Sequence, residues 1–449
     1  MNTLNITFQM KNTKKKSNSK IKVIKHSFSA GNLTKYSGLN IIGKYVNHQG
    51  IMRDLNKLFP TVFYNATKFT NIQILMSIIL ASLSGINRIS RIANFTKDPL
   101  VQTLLNLEKP INENAISNGL KQLGQKGARL LQEYLLKYNS KQLKNTGLKS
   151  ITLDADSTVS ITYGNQEGAE KGFNTTKKGA KSYHPLLIFV SELKMLYHTW
   201  FRSGSAYTSN GITEFLKEVK AYLPKTIEQV FFRADSGFFN GELFDLLESF
   251  GWSYLVKVKL KNLKQLLENQ KWTKVEGKSN VWICEFSYTT KSWNGKTRKL
   301  KAIKTIKEYV EKDFFGKKTF VPVYQYACYI SSFEDKNAVE LHEIYKRRST
   351  SETWIEEVKS QLLSGKTLTN DFWANDILWQ LSCFAYNISI LMRNNHKKLQ
   401  KQEHKTFREW FILVPGKIVK SGRSIEIKMY KDYYYKGNWL DFEKFLNVA

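Results

Sequence analysis

Cysteine is scarce: Cys284, Cys328 and Cys383 stand singly in 449 residues. None has the paired spacing of a zinc site or a disulfide framework, so the chain fits a reducing cytoplasm. Long apolar runs are missing too. The nearest, residues 372–392, is interrupted by Asn375, Asp376, Gln380 and Asn387 and reads as a buried amphipathic helix, not a membrane span. No signal-peptide pattern is present, and no membrane partner is expected. The motifs GxxxxGK, HExxH and GxGxxG are absent, which argues against a nucleotide cofactor and against zinc-hydrolase chemistry. Acids are few: 38 Asp plus Glu against 69 Lys plus Arg leave a net charge of +31. That excess favours a polyanionic partner, nucleic acid before a membrane surface. With 42% hydrophobic residues, the chain can bury a large core in roughly two or three domains.

Residues 1–25 are polar and basic (KNTKKKSNSKIKVIK) and read as a flexible arm able to add phosphate attraction. From residue 26 to 148 the apolar spacing is helical, predicting helices at 39–59, 70–83, 88–94, 99–107, 113–123 and 126–138. This is an all-helical N-terminal domain. INRISRIANF and NENAISNGLKQLG resemble short helix-turn-helix pieces, with Arg88, Arg91, Lys97 and Lys121 placed to contact DNA phosphates. Ordinary short helices joined by turns would look the same.

At Ile151 the period changes to two. In ITLDADSTVSITYG, Ile151, Leu153 and Ala155 share one strand face, and Asp154, Asp156, Thr158 and Ser160 share the other. Two carboxylates therefore project from one face, as a site or as plain surface acids. HPLLIFVSE and MLYHTWFRSG are two further strands joined by a tight turn at 192–194. The loop 164–182 carries Lys171, Lys177, Lys178 and Lys181 among glycines and reads as mobile, basic and suited to lie along a nucleic-acid backbone. A helix near 213–222 precedes EQVFFRADSGFFNGELFDLLESFGWSYLVKVK, a strand-turn-helix-strand unit with Asp235 at the first strand's carboxyl end. Ligands of open α/β sheets gather there, although an Asp before a turn also serves as a cap. Residues 261–340 alternate again, as a β-rich insertion. The remainder, 367–449, is helical to Asn394 and then basic, with the aromatic run MYKDYYYKGNWL suited to packing or to base stacking.

In YKRRSTSETWIEEVK, residues 345–359, an ideal helix sets Arg348, Glu352 and Lys359 at about 300°, 340° and 320° from Tyr345. One stripe thus carries a carboxylate, two cations and a phenol, which suits work on a polynucleotide backbone. Trp354, Ile355, Val358 and Leu362 form an apolar stripe beside it, leaving the Glu352 side toward a rim or cleft. A metal site for phosphoryl transfer needs further carboxylates, which Asp154 or Asp156 and Asp235 supply.

The order of these elements is that of an α/β, RNase H-like catalytic core (149–260 and 341–366), and the residues now resemble a known family. Tyr345, Arg348, Glu352 and Lys359 match the Tyr-Arg-Glu-Lys signature of DDE insertion-sequence transposases at every spacing. EGAEKGFN (167–174), YHPLL (183–187) and RADSGF (233–238) are similar to the group numbered thirteen-eighty within the IS4-like superfamily. The resemblance implies a catalytic triad of Asp156, Asp235 and Glu352 binding a pair of Mg²⁺ or Mn²⁺ ions, with Asp154 the alternative to Asp156 because it shares that strand face. It implies that Arg348 and Lys359 hold phosphates and Tyr345 seats the strand. The implied reaction is cut-and-paste transposition by a homodimer on terminal inverted repeats and target DNA, in some relatives through a hairpin intermediate, in a bacterial cytoplasm at the nucleoid. The alternatives are a catalytically silent DNA-binding regulator and another RNase H-like nuclease or resolvase; the charge argues against a glycosidase.

Overall fold

The computed structural model describes residues 24–60, 69–172, 174, 177–293, 295–315, 317–363 and 369–448. The arm expected at 1–25 lies, except for its last two residues, outside the described residues. Six helices follow: α1 (Leu39–His48), α2 (Ile51–Leu58), α3 (Asn71–Leu83), α4 (Ile89–Phe95), α5 (Pro99–Leu105) and α6 (Glu113–Asn145). Local chemistry sets their starts. Thr70 and Gln73 form a capping box on α3, and Asp98 caps α5 with Pro99 in its first turn. The single helix expected over 39–59 is split by Gly50, whose φ of 72° no ordinary helical residue adopts. The break expected before residue 126 is a kink at Gly124 within one long element.

The strands that position the site are β2 (Ser150–Ser157), β6 (Leu186–Val190), β7 (Met195–Trp200), β8 (Gln229–Ala234) and β9 (Ser253–Lys257). They lie side by side in the order β7-β6-β2-β8-β9, with β6 antiparallel to both neighbours and β2, β8 and β9 parallel. Helices α7 (Ile212–Tyr222) and α8 (Gly241–Ser249) make the crossovers. The insertion adds α9 (Leu263–Glu268) and β10 (Thr273–Lys274), β11 (Val281–Thr289), β12 (Thr297–Phe314) and β13 (Lys317–Ser331). It is β-rich as expected, yet it extends the same sheet to nine strands, because β13 pairs antiparallel with β9.

The loop 164–182 differs from expectation. Short strands β3 (Ser160–Ile161), β4 (Glu170–Lys171) and β5 (Lys181–Tyr183) form a separate three-stranded sheet. Tyr183 Oη donates to Glu167 O at 2.6 Å, and Glu167 Oε2 accepts from Phe372 N at 3.0 Å. These bonds tie the two ends of the segment to each other and its start to the body.

The chain continues through α10 (Ala338–Lys346) and α11 (Thr350–Glu356) to α12 (Phe372–Asn394), which packs on α3, α6 and β7 and is buried almost along its whole length. Burial all round explains why its polar residues punctuate rather than line a face: Asn387 donates to Asn139 Oδ1 at 3.0 Å and to Leu196 O at 2.7 Å. No described helix is long and apolar enough to cross a membrane. After α13 (His404–Phe407) comes a hairpin the sequence did not reveal, β14 (Gly416–Ser421) and β15 (Ser424–Met429), paired with β1 (Leu33–Thr34). The last helix, α14 (Lys436–Val448), returns to α1, where Lys44 donates to Glu443 at 2.5 Å. In the aromatic run, Tyr435 stacks on Trp410 at 4.3 Å and packs, while Tyr430 and Tyr434 are exposed.

Candidate active site

Residues Ala155 of β2 and Ala234 of β8 are register partners on parallel strands. The next residue on each is an aspartate, so Asp156 and Asp235 stand at neighbouring carboxyl ends of the sheet. Asp235 is also a cap: its Oδ1 accepts from Gly237 N at 2.9 Å, opening the 3₁₀ turn Ser236–Phe238. The cap reading of this residue is thus met, and the cap holds the carboxylate at the strand end.

Glu352 arrives from the other side. The stripe predicted for an ideal helix is redrawn by two irregularities, a 3₁₀ turn at Arg347–Ser349 between α10 and α11 and a π-helical turn at Glu357–Gln361 after α11. Tyr345, Arg348 and Glu352 nevertheless line one cleft of about 390 Å³ with Asp156 and Asp235. Lys359 does not. It sits in the π turn, which rotates the chain out of helical register. The cause is tertiary: Glu357 is drawn inward to pair with Arg393 of α12 and to accept from His404 N at 2.7 Å. Trp354, Ile355, Val358 and Leu362 are buried as expected.

The two candidate first acids part company. Asp154 has no exposed surface; its Oδ1 accepts from Arg233 Nε at 2.7 Å and its Oδ2 from Arg233 Nη2 at 2.8 Å. Arg233 in turn donates to Ile344 O at 2.9 Å, tying β2 and β8 to α10. The plain-surface reading does not hold for Asp154: Phe189, paired with it, packs against Trp354 and Tyr386. Asp156, two residues on, lies where this packing ends and lines the cleft.

Arg348 is buried and donates through Nη2 to Asp156 Oδ2 at 2.7 Å, with Nη1 4.0 Å from Glu352. Burial pushes the Asp156 carboxyl up to about 6; Arg348 opposes the shift, and the charges of Asp235 and Glu352 add to it. Burial works against the Arg348 charge, but Asp156 and Tyr345 hold its proton more tightly than usual. Burial also lifts the Tyr345 phenol to about 12 against the pull of Arg348, so it stays a hydrogen-bond donor. Ser157, also in the cleft, is 3.0 Å from His184 Nε2.

Other predicted residues lie elsewhere. Lys171, Lys177, Lys178 and Lys181 are exposed on the small sheet and its loop and do not line the cleft. Lys177 lies over Tyr163, and Lys181 donates to Asn165 Oδ1 at 2.9 Å. Arg88 and Arg91 are exposed at the start of α4 and in its first turn. Sequence reasoning missed Lys257 and Glu356, both of which line the cleft. For Glu356 the signal was there, one helical turn after Glu352.

Among the described residues, no three His, Cys, Asp or Glu side chains stand close enough together, as arranged, to hold a metal ion. The chemistry of the cleft still fits a hard divalent cation. Its metal-ligating donors are oxygen only, and the repulsion from Asp235 and Glu352 that adds to the effect of burial on Asp156 is what a cation among the three carboxylates would relieve.

Fold and cleft define a mixed α/β protein with clustered acids at the ends of parallel strands, flanked by cations. The chain belongs to the family Transposase DDE domain group 1, whose model matches residues 15–446, and this places it among the DDE transposases. No curated protein matches it. Among solved structures it is similar to a piggyBac transposase synaptic complex with hairpin DNA, at 13% identity and a TM-score of 0.44 over 82% of this chain and 76% of that one. It is also similar to a Mos1 mariner paired end complex with Mn, at 12% identity and a TM-score of 0.17 over 49% and 77%. Likenesses of this size carry no function across.

Proposed function

We propose that the chain is the cut-and-paste transposase of an insertion sequence of the thirteen-eighty group, binding terminal inverted repeats and cleaving and joining DNA. The observation that carries this is the single cleft that gathers Asp156, Asp235 and Glu352 with Tyr345 and Arg348. The strand order β7-β6-β2-β8-β9 supports an RNase H-like core at 149–260 and 341–366. On this reading 26–148 is a helical DNA-binding domain, 261–340 the β-rich insertion and 367–449 a C-terminal segment. The net charge of +31 supports double-stranded DNA as partner, with synapsis by a homodimer at the nucleoid.

Asp156, Asp235 and Glu352 would hold a pair of Mg²⁺ or Mn²⁺ ions, which supply an activated water or 3′-hydroxyl and stabilise the leaving oxygen. The chain's own residues prepare the cleft. Arg348 holds Asp156 from its buried side and so orients the carboxylate toward the cleft. The protonated Tyr345 phenol offers a donor to a phosphate oxygen. Exposed lysines of the small sheet, Lys171, Lys177, Lys178 and Lys181, and Arg88 and Arg91 on α4, supply backbone contacts away from the cleft, as does Lys359.

The silent-regulator reading rests on one observation, that the three carboxylates are not yet close enough together to hold a metal ion. Cleavage of a labelled duplex carrying the element's end separates the two. Mg²⁺-dependent nicking that Asp235→Ala and Glu352→Ala both abolish is the expected result. Tight, salt-sensitive binding with no cleavage by the wild type under Mg²⁺ or Mn²⁺ would overturn the transposase reading in favour of the regulator.

A further inference from the structure

Three parallel strands end side by side at the cleft. Ala155 pairs with Ala234, and Ala234 pairs with Val256 of β9. The next residues in register are Asp156, Asp235 and Lys257, and all three line the cleft. One strand spacing of about 4.8 Å separates the backbone of Lys257 from that of Asp235.

A phosphodiester entering this cleft meets four carboxylates, Asp156, Asp235, Glu352 and Glu356, and needs a cation to hold it. The two cations that the family signature suggests are poorly placed for this. Arg348 is buried and committed to Asp156, and Lys359 lies outside the cleft. The Lys257 side chain is exposed, and among the described residues its ammonium makes no hydrogen bond or ion pair. We infer that Lys257 is the residue that grips the phosphate at the point of cleavage, a non-bridging oxygen accepting from its ammonium. An ammonium on a flexible stem can follow the phosphate as its geometry changes, with three donors to offer. This rests on the transposase reading of the cleft. Nothing in the local sequence sets Lys257 apart from its neighbours in VKVKLK.

The test uses the full chain and two labelled duplexes carrying the element's end, one unmodified and one with a neutral methylphosphonate at the position the wild type cuts. Binding is measured in Ca²⁺ and single-turnover cleavage in Mg²⁺. Lys257→Ala should slow cleavage and weaken binding of the unmodified duplex by about ten- to a hundredfold, and Lys257→Arg should recover most of both. Neutralising the phosphate should weaken wild-type binding by a similar factor and cost Lys257→Ala nothing further. Losses that multiply, or wild-type cleavage by Lys257→Ala, would overturn the assignment while leaving the transposase reading intact. A wild type that binds but never cuts would remove both. Lys257 is exposed, so unchanged thermal midpoints should accompany both variants.

Discussion

Removing the Asp154 carboxylate should destabilise the sheet without touching the chemistry of the cleft. Asp154→Ala strands the Arg233 guanidinium, only 4% exposed, with its bond to Ile344 O and without its two short bonds to a carboxylate. Breaking one side of a buried pair costs about 3–5 kcal/mol, chiefly because the remaining charge has neither water nor partner. Replacing both groups by apolar ones, Asp154→Leu with Arg233→Met, removes the charge as well. That exchange is often neutral, although Ile344 O then loses its donor at about 1–3 kcal/mol. The double variant should therefore be more stable than Asp154→Ala by roughly 2 kcal/mol. Urea unfolding followed by tryptophan fluorescence reads the difference directly, with the midpoint lowest for the single variant. Cleavage per folded molecule should survive in the double variant. If Asp154→Ala unfolds like the wild type yet no longer cuts, the reasoning fails, and Asp154 rather than Asp156 serves the cleft.

Asp156 has a sign of its own. Its carboxyl is raised to about 6, above its unfolded value near 3.8, so its protonated form favours folding below about pH 4 and that contribution is lost as pH rises through 6, on the order of 3 kcal/mol at most. Asp156→Asn should flatten stability over that window, and a wild-type profile already flat there would contradict the burial argument. For the same reason Mn²⁺ should raise the wild-type thermal midpoint more at pH 8 than at pH 5, the stabilisation at pH 8 reaching about 2.7 kcal/mol at a hundredfold excess over Kd. Stripping the metal with a chelator should reverse the rise, and Asp156→Asn should show none. Lys359→Ala should weaken duplex binding and lower its salt dependence by about one charge, leaving the cleavage rate of the bound complex unchanged. A slowed single-turnover rate at saturating protein would put Lys359 back in the cleft.

Much of the fold was legible because its signals are local. Thr70 with Gln73, and Asp98 before Pro99, announce helix starts; alternation announces β2, β8 and β12. What was hidden is held by contacts between distant residues. The β1–β14–β15 sheet joins Leu33 to Lys417, and neither segment has a pattern that names the other. The π turn that removes Lys359 from its stripe follows from Glu357 meeting Arg393 across the core, which a helical wheel cannot register.

The candidate site shows where such reading stops. Asp154 and Asp156 are the same residue type, two apart, on one face of one strand. Periodicity treats them alike, and their fates differ through depth alone. Where α11 and α12 still cover the sheet, a carboxylate can exist only with a cation fixed beside it, and Arg233 on the neighbouring strand is that cation, its register partner. One pleat further on the cover ends, and Asp156 shares Arg348 with a cleft that already holds Asp235 and Glu352. Arg233 and Asp235 flank one alanine in RADSGF, so a single strand end supplies both the counter-charge that buries one acid and the acid that joins the other. The spacing Asp-x-Asp on β2 and Arg-x-Asp on β8 is therefore one feature, two parallel strands in register, with a buried ion pair in the inner layer and a pair of cleft-lining carboxylates in the outer.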